Sequence, residues 1–304
     1  MLSTAKAIAA ISLGFLASPA ACEQELCTGQ TCSAETAHQG KAVLDQPTKV
    51  FEKSKDPYAE SQDILVARKK LLNAGGELNG VAIVELDSGM KGMALFTDMP
   101  AGAPLVFVPK ELLLDSDRAY KLPVVQYLVE EGIFDQIRKV KNDVLATTVL
   151  LLHEQYLGDE SEWKWFLDTL PQSMEEHPLL YTPDEIHLLD GTQAQARIAS
   201  THHSLRKAYK LIADSVEGFS DRHSWAQFLH AYLLVATRSF VSTEGTKPTT
   251  MAPLADMANH STQANAEWVF AIRDRTYDKK KSKGGYNDHA SGLVLYISDA
   301  LEAH

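Results

Sequence analysis

The spacing of hydrophobic and polar positions divides the chain into short strand-like runs, a long helical middle and a strand-like return. From Asp63, Ile64-Leu65, Ala67 and Leu71-Leu72 recur at helical spacing and stop at Gly75-Gly76, which predicts a short amphipathic helix. Val81 to Leu86 (VAIVEL), Met93 to Phe96 and Leu105 to Val108 (LVFV) predict three strands by length and β-branched content. Pro100-Ala101-Gly102 is a turn between the second and third, and Pro109 ends the third. Tyr120 to Glu131, Val144 to Leu157 and Trp225 to Phe240 carry apolar residues at helical spacing over several turns. Thr182-Pro183-Asp184-Glu185 reads as a helix start, with Thr as cap, Pro first and acids in the first turn; Gly191 suits that helix's end. Asp278 to Asn287 is a charged, glycine-containing loop, and Leu293 to Ile297 (LVLYI) is a last strand. Strands, a helical block, then strands again predict an α+β fold with a helical insertion at about residues 115–235, and not a doubly wound sheet.

The N-terminal part follows a different pattern. Residues 1–22 hold one charge, Lys6, an apolar run from Ala7 to Ala17 and then small residues, which reads as a signal peptide or an organelle transit peptide. The apolar run is too short to span a bilayer comfortably. Residues 23–62 are polar without a sustained apolar period and read as a linker, leaving 63–304 as the main domain. Cys22, Cys27 and Cys32 are the three cysteines of the chain, evenly spaced in this leading part. Structural zinc takes four ligands, commonly in tight pairs, so this set does not form a closed zinc site. In an oxidising lumen, one disulfide and one spare thiol is the simple reading.

Composition narrows the function. Of 304 residues, 45% are hydrophobic and 23% charged, enough apolar material for a sizeable core. A formal net charge of -11 argues against a general nucleic-acid binder, whose affinity comes from Lys and Arg on phosphates. Phosphate-loop, dinucleotide-fingerprint, nucleophile-elbow and zinc-helix signatures are absent from the sequence.

One segment concentrates polar chemistry among small apolar residues: Pro253-Leu254-Ala255-Asp256-Met257-Ala258-Asn259-His260-Ser261, between a long helix and a strand. By itself it reads first as a helix cap or a satisfied polar turn, and only second as a ligand site. Asn offers two donors and an acceptor, and His one of each, a set able to hold an adenine edge and an amino-acid ammonium. Asn259-His260-Ser261 is also the only N-glycosylation sequon in the sequence.

Five blocks in order carry a family resemblance. They are Gly92 to Gly102 followed by Val108-Pro109-Lys110, Trp163 to Pro171, Leu179 to Thr192, Thr237-Arg238-Ser239-Phe240, and the Pro253 to Ser261 string. Together they resemble SET-domain protein methyltransferases related to the Rubisco large-subunit lysine methyltransferase and the actin histidine methyltransferase. The resemblance spans about Val81 to Ile297. It implies a SET-domain β-fold, S-adenosyl-L-methionine as cofactor, and a protein substrate bearing the target lysine or histidine. The alternative it leaves is a non-catalytic SET-like module that binds a protein partner.

Carried over residue by residue, the resemblance assigns the cofactor to backbone groups at Gly89, Met90 and Lys91 and to Asn259 and His260, with Arg238 pairing the cofactor carboxylate. Asp256 is expected to orient the Asn-His turn or to touch the target side chain. The family's catalytic tyrosine follows its last strand in a segment that completes a knot. No matching segment follows Ile297 before His304, so a truncated site and a weakly active chain are expected.

Overall fold

The computed structural model describes residues 6–8, 58–86, 90–137, 140–241, 248–261, 264–271 and 292–297. The expected leader except Lys6–Ile8, the cysteines, residues 23–57 of the expected linker and the 278–287 loop lie outside these residues. The last residues expected in the linker, 58–62, are ordered instead, with Gln62 opening the first helix and Glu60 paired to Arg68.

Strands, numbered in chain order, are β1 (Lys6–Ile8), β2 (Glu77–Leu78), β3 (Val81–Glu85), β4 (Lys91–Leu95), β5 (Pro104–Pro109), β6 (Leu114–Asp115), β7 (Ser239–Phe240), β8 (Thr250–Met251), β9 (Ala266–Ala271) and β10 (Gly292–Ile297). They form three small antiparallel sheets, ordered β1-β4-β3, β2-β5-β10-β9 and β6-β8-β7. The three strands expected before residue 110 and the one at 293–297 are present as β3, β4, β5 and β10. β10 is buried between β5 and β9, which explains why its run (LVLYI) is apolar without alternation. Gly292 opens it because a Cβ there would stand 2.2 Å from the Val108 carbonyl oxygen.

Helix α1 (Gln62–Asn73) lies against the sheets and buries Ile64, Ala67 and Leu71, one stripe at helical spacing. Between β6 and β7 the chain is helical: α2 (Ser116–Ala119), α3 (Pro123–Glu130), α4 (Asn142–Leu157), α5 (Lys164–Leu167), α6 (Pro183–His187), α7 (Gln193–Ser215), α8 (Phe219–Arg222) and α9 (Trp225–Arg238). The run expected from Tyr120 starts instead at Pro123, whose fixed φ suits a first helical position. Residues ahead of it make the separate turn α2, capped by Asp115 accepting from the Arg118 amide at 2.9 Å.

Helix α4 is the centre of the helical block. Every residue from Val144 to Leu152 is buried, and Thr147 and Thr148 donate back to the Asp143 and Val144 carbonyls at 2.8 and 2.7 Å. Those bonds let two hydroxyls sit in an apolar interior without an orphaned polar group. Helix α9 packs beside α4 and starts with a complete capping box, Ser224 and Gln227 satisfying each other's backbone amides.

Two hydrophobic clusters result. One fills the helical block around Leu145, Leu151, Phe166, Phe228 and Leu234; the other lies among the sheets around Ile64, Met93, Leu105, Leu254 and Leu295. Trp165 packs against both. Among the described residues no helix is long and apolar enough to cross a membrane.

Candidate functional site

Two segments far apart in sequence meet where the sheets face the end of α9. The first is the β3–β4 hairpin, paired with Val84 opposite Gly92 and Glu85 opposite Lys91. The Leu86 amide donates to the Met90 carbonyl at 2.8 Å. Gly89 lies outside the described residues; Met90 is exposed and Lys91 half-buried. The Lys91 ammonium pairs with Asp63 in the first turn of α1, so the side chain ties the hairpin to that helix and leaves the backbone facing the site. Next to it, the Glu60 carboxylate joins Arg68 and accepts the Ile83 amide at 2.8 Å, and Arg68 donates to the Val81 carbonyl at 3.0 Å. The first strand of the hairpin is thus fastened to α1 by charge-assisted hydrogen bonds.

The second segment is the turn at 254–261. Leu254 has φ 66° and ψ −32°, a conformation costly for a leucine, and its side chain is wholly buried. A 3₁₀ turn, Ala255–Met257, follows; its first bonds run from the Asp256 amide to the Ala252 carbonyl at 3.0 Å and from Met257 to Leu254 at 3.2 Å. The turn packs against β4 and β5 and delivers Asn259 to the hairpin. Asn259 Nδ2 donates to the Lys91 carbonyl oxygen at 3.4 Å. Gly92 makes this approach possible: a Cβ there would stand 2.9 Å from Asn259 Nδ2 and 3.0 Å from Leu86 Cδ1. His260 follows on the exposed side.

Below the turn, Arg238 closes the arrangement. Its Nη1 donates to Asp256 Oδ2 at 3.0 Å and also faces the Asp256 carbonyl oxygen at 3.4 Å and Met257 Sδ at 3.7 Å. Arg238 sits there because α9 ends at it, and Ser239-Phe240 turn into β7. The Asp256 side chain is 0% exposed, and burial pushes its carboxyl above the usual range although Arg238 pulls the other way. Asp256 Oδ1 and the neighbouring Ser239 Oγ are buried without a hydrogen-bond partner among the described residues. The Asp256 side chain is thus sealed inside the turn, with Arg238 as its charged partner. Among the described residues no group of His, Cys, Asp and Glu could hold a metal ion.

The expected site residues therefore divide as follows. Lys91, Asn259, Asp256 and Arg238 are brought together, His260 lies at the exposed edge, Met90 stands at the hairpin, and Gly89 is outside the described residues. Sequence reading missed the tether from Lys91 to Asp63, because an acid in a helix's first turn reads simply as a helix start. It also missed the strain at Leu254, since a leucine gives no signal of positive φ.

No family model matches the chain. A search of solved structures finds a crystal structure of the SET domain of LSMT bound to lysine and AdoHcy, with a TM-score of 0.58 at 18% identity over 78% of this chain and 53% of that one. The fold is that of a SET domain. Among curated sequences, SET domain-containing protein 4 of Mus musculus is 25% identical over 209 residues, covering 62% of this chain and 45% of that protein. The ribulose-1,5 bisphosphate carboxylase/oxygenase large subunit N-methyltransferase, chloroplastic, of Nicotiana tabacum is 21% identical over 181 residues, covering 58% and 34%. The chain spans less than half the length of these curated relatives. Within the SET fold, the helical block from Ser116 to Arg238 separates the strands that carry the hairpin from the turn at 254–261.

Proposed function

We propose that this chain is a protein methyltransferase that binds S-adenosyl-L-methionine between the β3–β4 hairpin and the 254–261 turn and methylates a lysine side chain. The observation that supports the reading is the contact from Asn259 Nδ2 to the Lys91 carbonyl, which brings the two expected cofactor-binding segments side by side. The residues fit the cofactor. Gly92 leaves a backbone cradle that a side chain would fill, since a Cβ there would stand 2.9 Å from Asn259 Nδ2. Asn259 and His260 would hold the nucleoside end, with backbone groups of Met90 and Lys91 opposite. Arg238, already fixed by Asp256, would keep part of its guanidinium for the cofactor carboxylate, since its side chain is 18% exposed.

When bound, the cofactor supplies an electrophilic methyl. The protein's part is to align the acceptor nitrogen with it, because in a direct displacement positioning supplies much of the acceleration. A lysine acceptor, with an ordinary pKa of about 10.4, must arrive neutral, and a narrow apolar approach lowers that pKa by desolvation. A histidine acceptor is the second candidate target. The charge of -11 supports a protein substrate over nucleic acid. For the segment 1–22 we favour a plastid address over a secretory one, supported by a relative designated chloroplastic.

Isothermal calorimetry of the chain with S-adenosyl-L-methionine tests the reading. Saturable binding, weakened at least about tenfold by Asn259→Ala, is expected. Transfer of labelled methyl to a lysine-containing peptide then separates an enzyme from a second reading, a non-catalytic partner-binding SET module. That second reading is favoured by one observation: Arg238 and Lys91 are both already ion-paired within the chain. Absence of cofactor binding sinks the enzyme reading.

A further inference from the structure

From Pro171 to Ser204 no residue is buried, although this stretch holds two helices and several large apolar side chains. Met174 and Leu179 pack against the helical-block core, whereas Leu188 is 84% exposed. Between the Pro178–Leu180 turn, α6 and the first half of α7 runs an open groove of about 710 Å³. Leu179, Ile186 and Ile198 line its apolar length. His202, His203 and Arg206 also line it, and no Asp or Glu does.

The charge here runs against that of the whole chain. Residues 193–213 of α7 contain Arg197, Arg206, Lys207 and Lys210 and no acid, in a protein of net charge -11. Arg206 is particularly prepared. Its Cζ stands over the Trp225 ring at 4.2 Å from the centroid, the His202 ring stands edge-on to the same indole, and no carboxylate ion-pairs with it among the described residues. A cation–π contact holds a guanidinium in place and still allows its N–H groups to meet a carboxylate. The acids of the adjoining wall are already engaged: Glu185 in its capping box with Thr182, and Asp190 with His187 and Gln195. Asp184, the other acid of α6, is exposed and does not line the groove.

We propose that this groove is a docking site for an acidic peptide segment of a partner protein, with an apolar anchor seated against Leu179, Ile186 and Ile198 and a carboxylate on Arg206. Charge complementarity decides between occupants: an apolar groove alone accepts many segments, but one lined by a guanidinium that no carboxylate engages among the described residues selects a carboxylate. None of the residues that line the groove is among those gathered around Asn259.

The test is fluorescence anisotropy of the full chain with a short labelled peptide bearing a pair of leucines followed by glutamates, against the same peptide with lysines in place of glutamates. Vesicles of anionic phosphatidylglycerol form a third arm. The expected result is saturable binding of the glutamate peptide alone, weakened by salt and reduced about tenfold or more by Arg206→Glu. Ile186→Asp reduces it as well. Both substitutions lie at positions that are not buried, and an unchanged thermal melt verifies that each variant folds. Equal binding of both peptides, binding of vesicles alone, no binding at all, or full binding by Arg206→Glu overturns the proposal.

Discussion

Arg238 Nη1 lies 3.0 Å from Asp256 Oδ2, and the two partners are buried to different extents: the carboxylate side chain is 0% exposed and the guanidinium 18%. The last residue of a long helix thereby holds, from below, the turn that carries Asn259. Among the described residues this buried acid has one oxygen without a hydrogen-bond partner and Arg238 as its ion-pair partner, so it depends on that cation.

Arg238→Ala leaves an uncompensated buried carboxylate, and a loss of about 3–5 kcal/mol in urea unfolding at neutral pH is expected. The sign with pH follows from the raised carboxyl. A folded-state pKa above the unfolded one means that the native state takes up the proton first, so this group's contribution is fully present below its unfolded pKa and lost as pH rises through the folded value. Removing Arg238 raises the folded value further. The stability gap between the variant and the parent should therefore narrow as pH is lowered into the acid range; a gap independent of pH would show that Asp256 is not the group left exposed to the loss.

Gly92→Ala is expected to act on the cleft without touching Asn259 chemically. Its new methyl would stand 2.9 Å from Asn259 Nδ2 and 3.0 Å from Leu86, so the amide must withdraw from the Lys91 carbonyl. The variant should lose cofactor affinity as Asn259→Ala does. The 3.4 Å hydrogen bond itself contributes at most about 1 kcal/mol to folding, so Asn259→Ala should scarcely move the urea midpoint. Calorimetry and denaturation on the same two variants check both statements.

The capping boxes at Ser224 and Thr182 have the same chemistry and should differ in effect. Ser224 starts α9, whose residues Phe228 to Val235 are mostly core, so Ser224→Ala should cost about 1 kcal/mol of global stability. Thr182 starts α6 in a stretch with no buried residue, so Thr182→Ala should leave the global midpoint unchanged and raise amide hydrogen exchange locally around residues 183–187.

Leu254→Gly relieves a strained backbone worth roughly 1–3 kcal/mol and removes a fully buried side chain worth about 2–5. Net destabilisation is expected, with a midpoint above that of a core Leu→Ala change of similar burial such as Leu295→Ala. A larger loss at Leu254 than at Leu295 would mean that the positive φ is not a burden there.

The fold class and most elements around the site were legible in the sequence. The strand runs at Val81, Met93, Leu105 and Leu293 and the helix at Trp225 are local signals, each set by side-chain period and β-branching, and they appear within a residue or two of the expected places. Less legible were the two-residue strands β6, β7 and β8, which have no periodicity to read and exist only because partners lie beside them. The helix α7 was not bounded either, since its first half buries no residue and so presents no core stripe.

The sequence by itself determined which residue types are available to the cleft: the Asp256, Asn259 and His260 set, Arg238 at a helix end, and a glycine at 92. What tertiary structure alone decided is how they are shared out. Arg238 is committed to Asp256, Lys91 to Asp63, and the Lys91 carbonyl to Asn259. Pairings between residues up to 168 positions apart follow from how the sheets and helices close on one another, and from the cost of leaving a charge or an amide unpaired once it is buried.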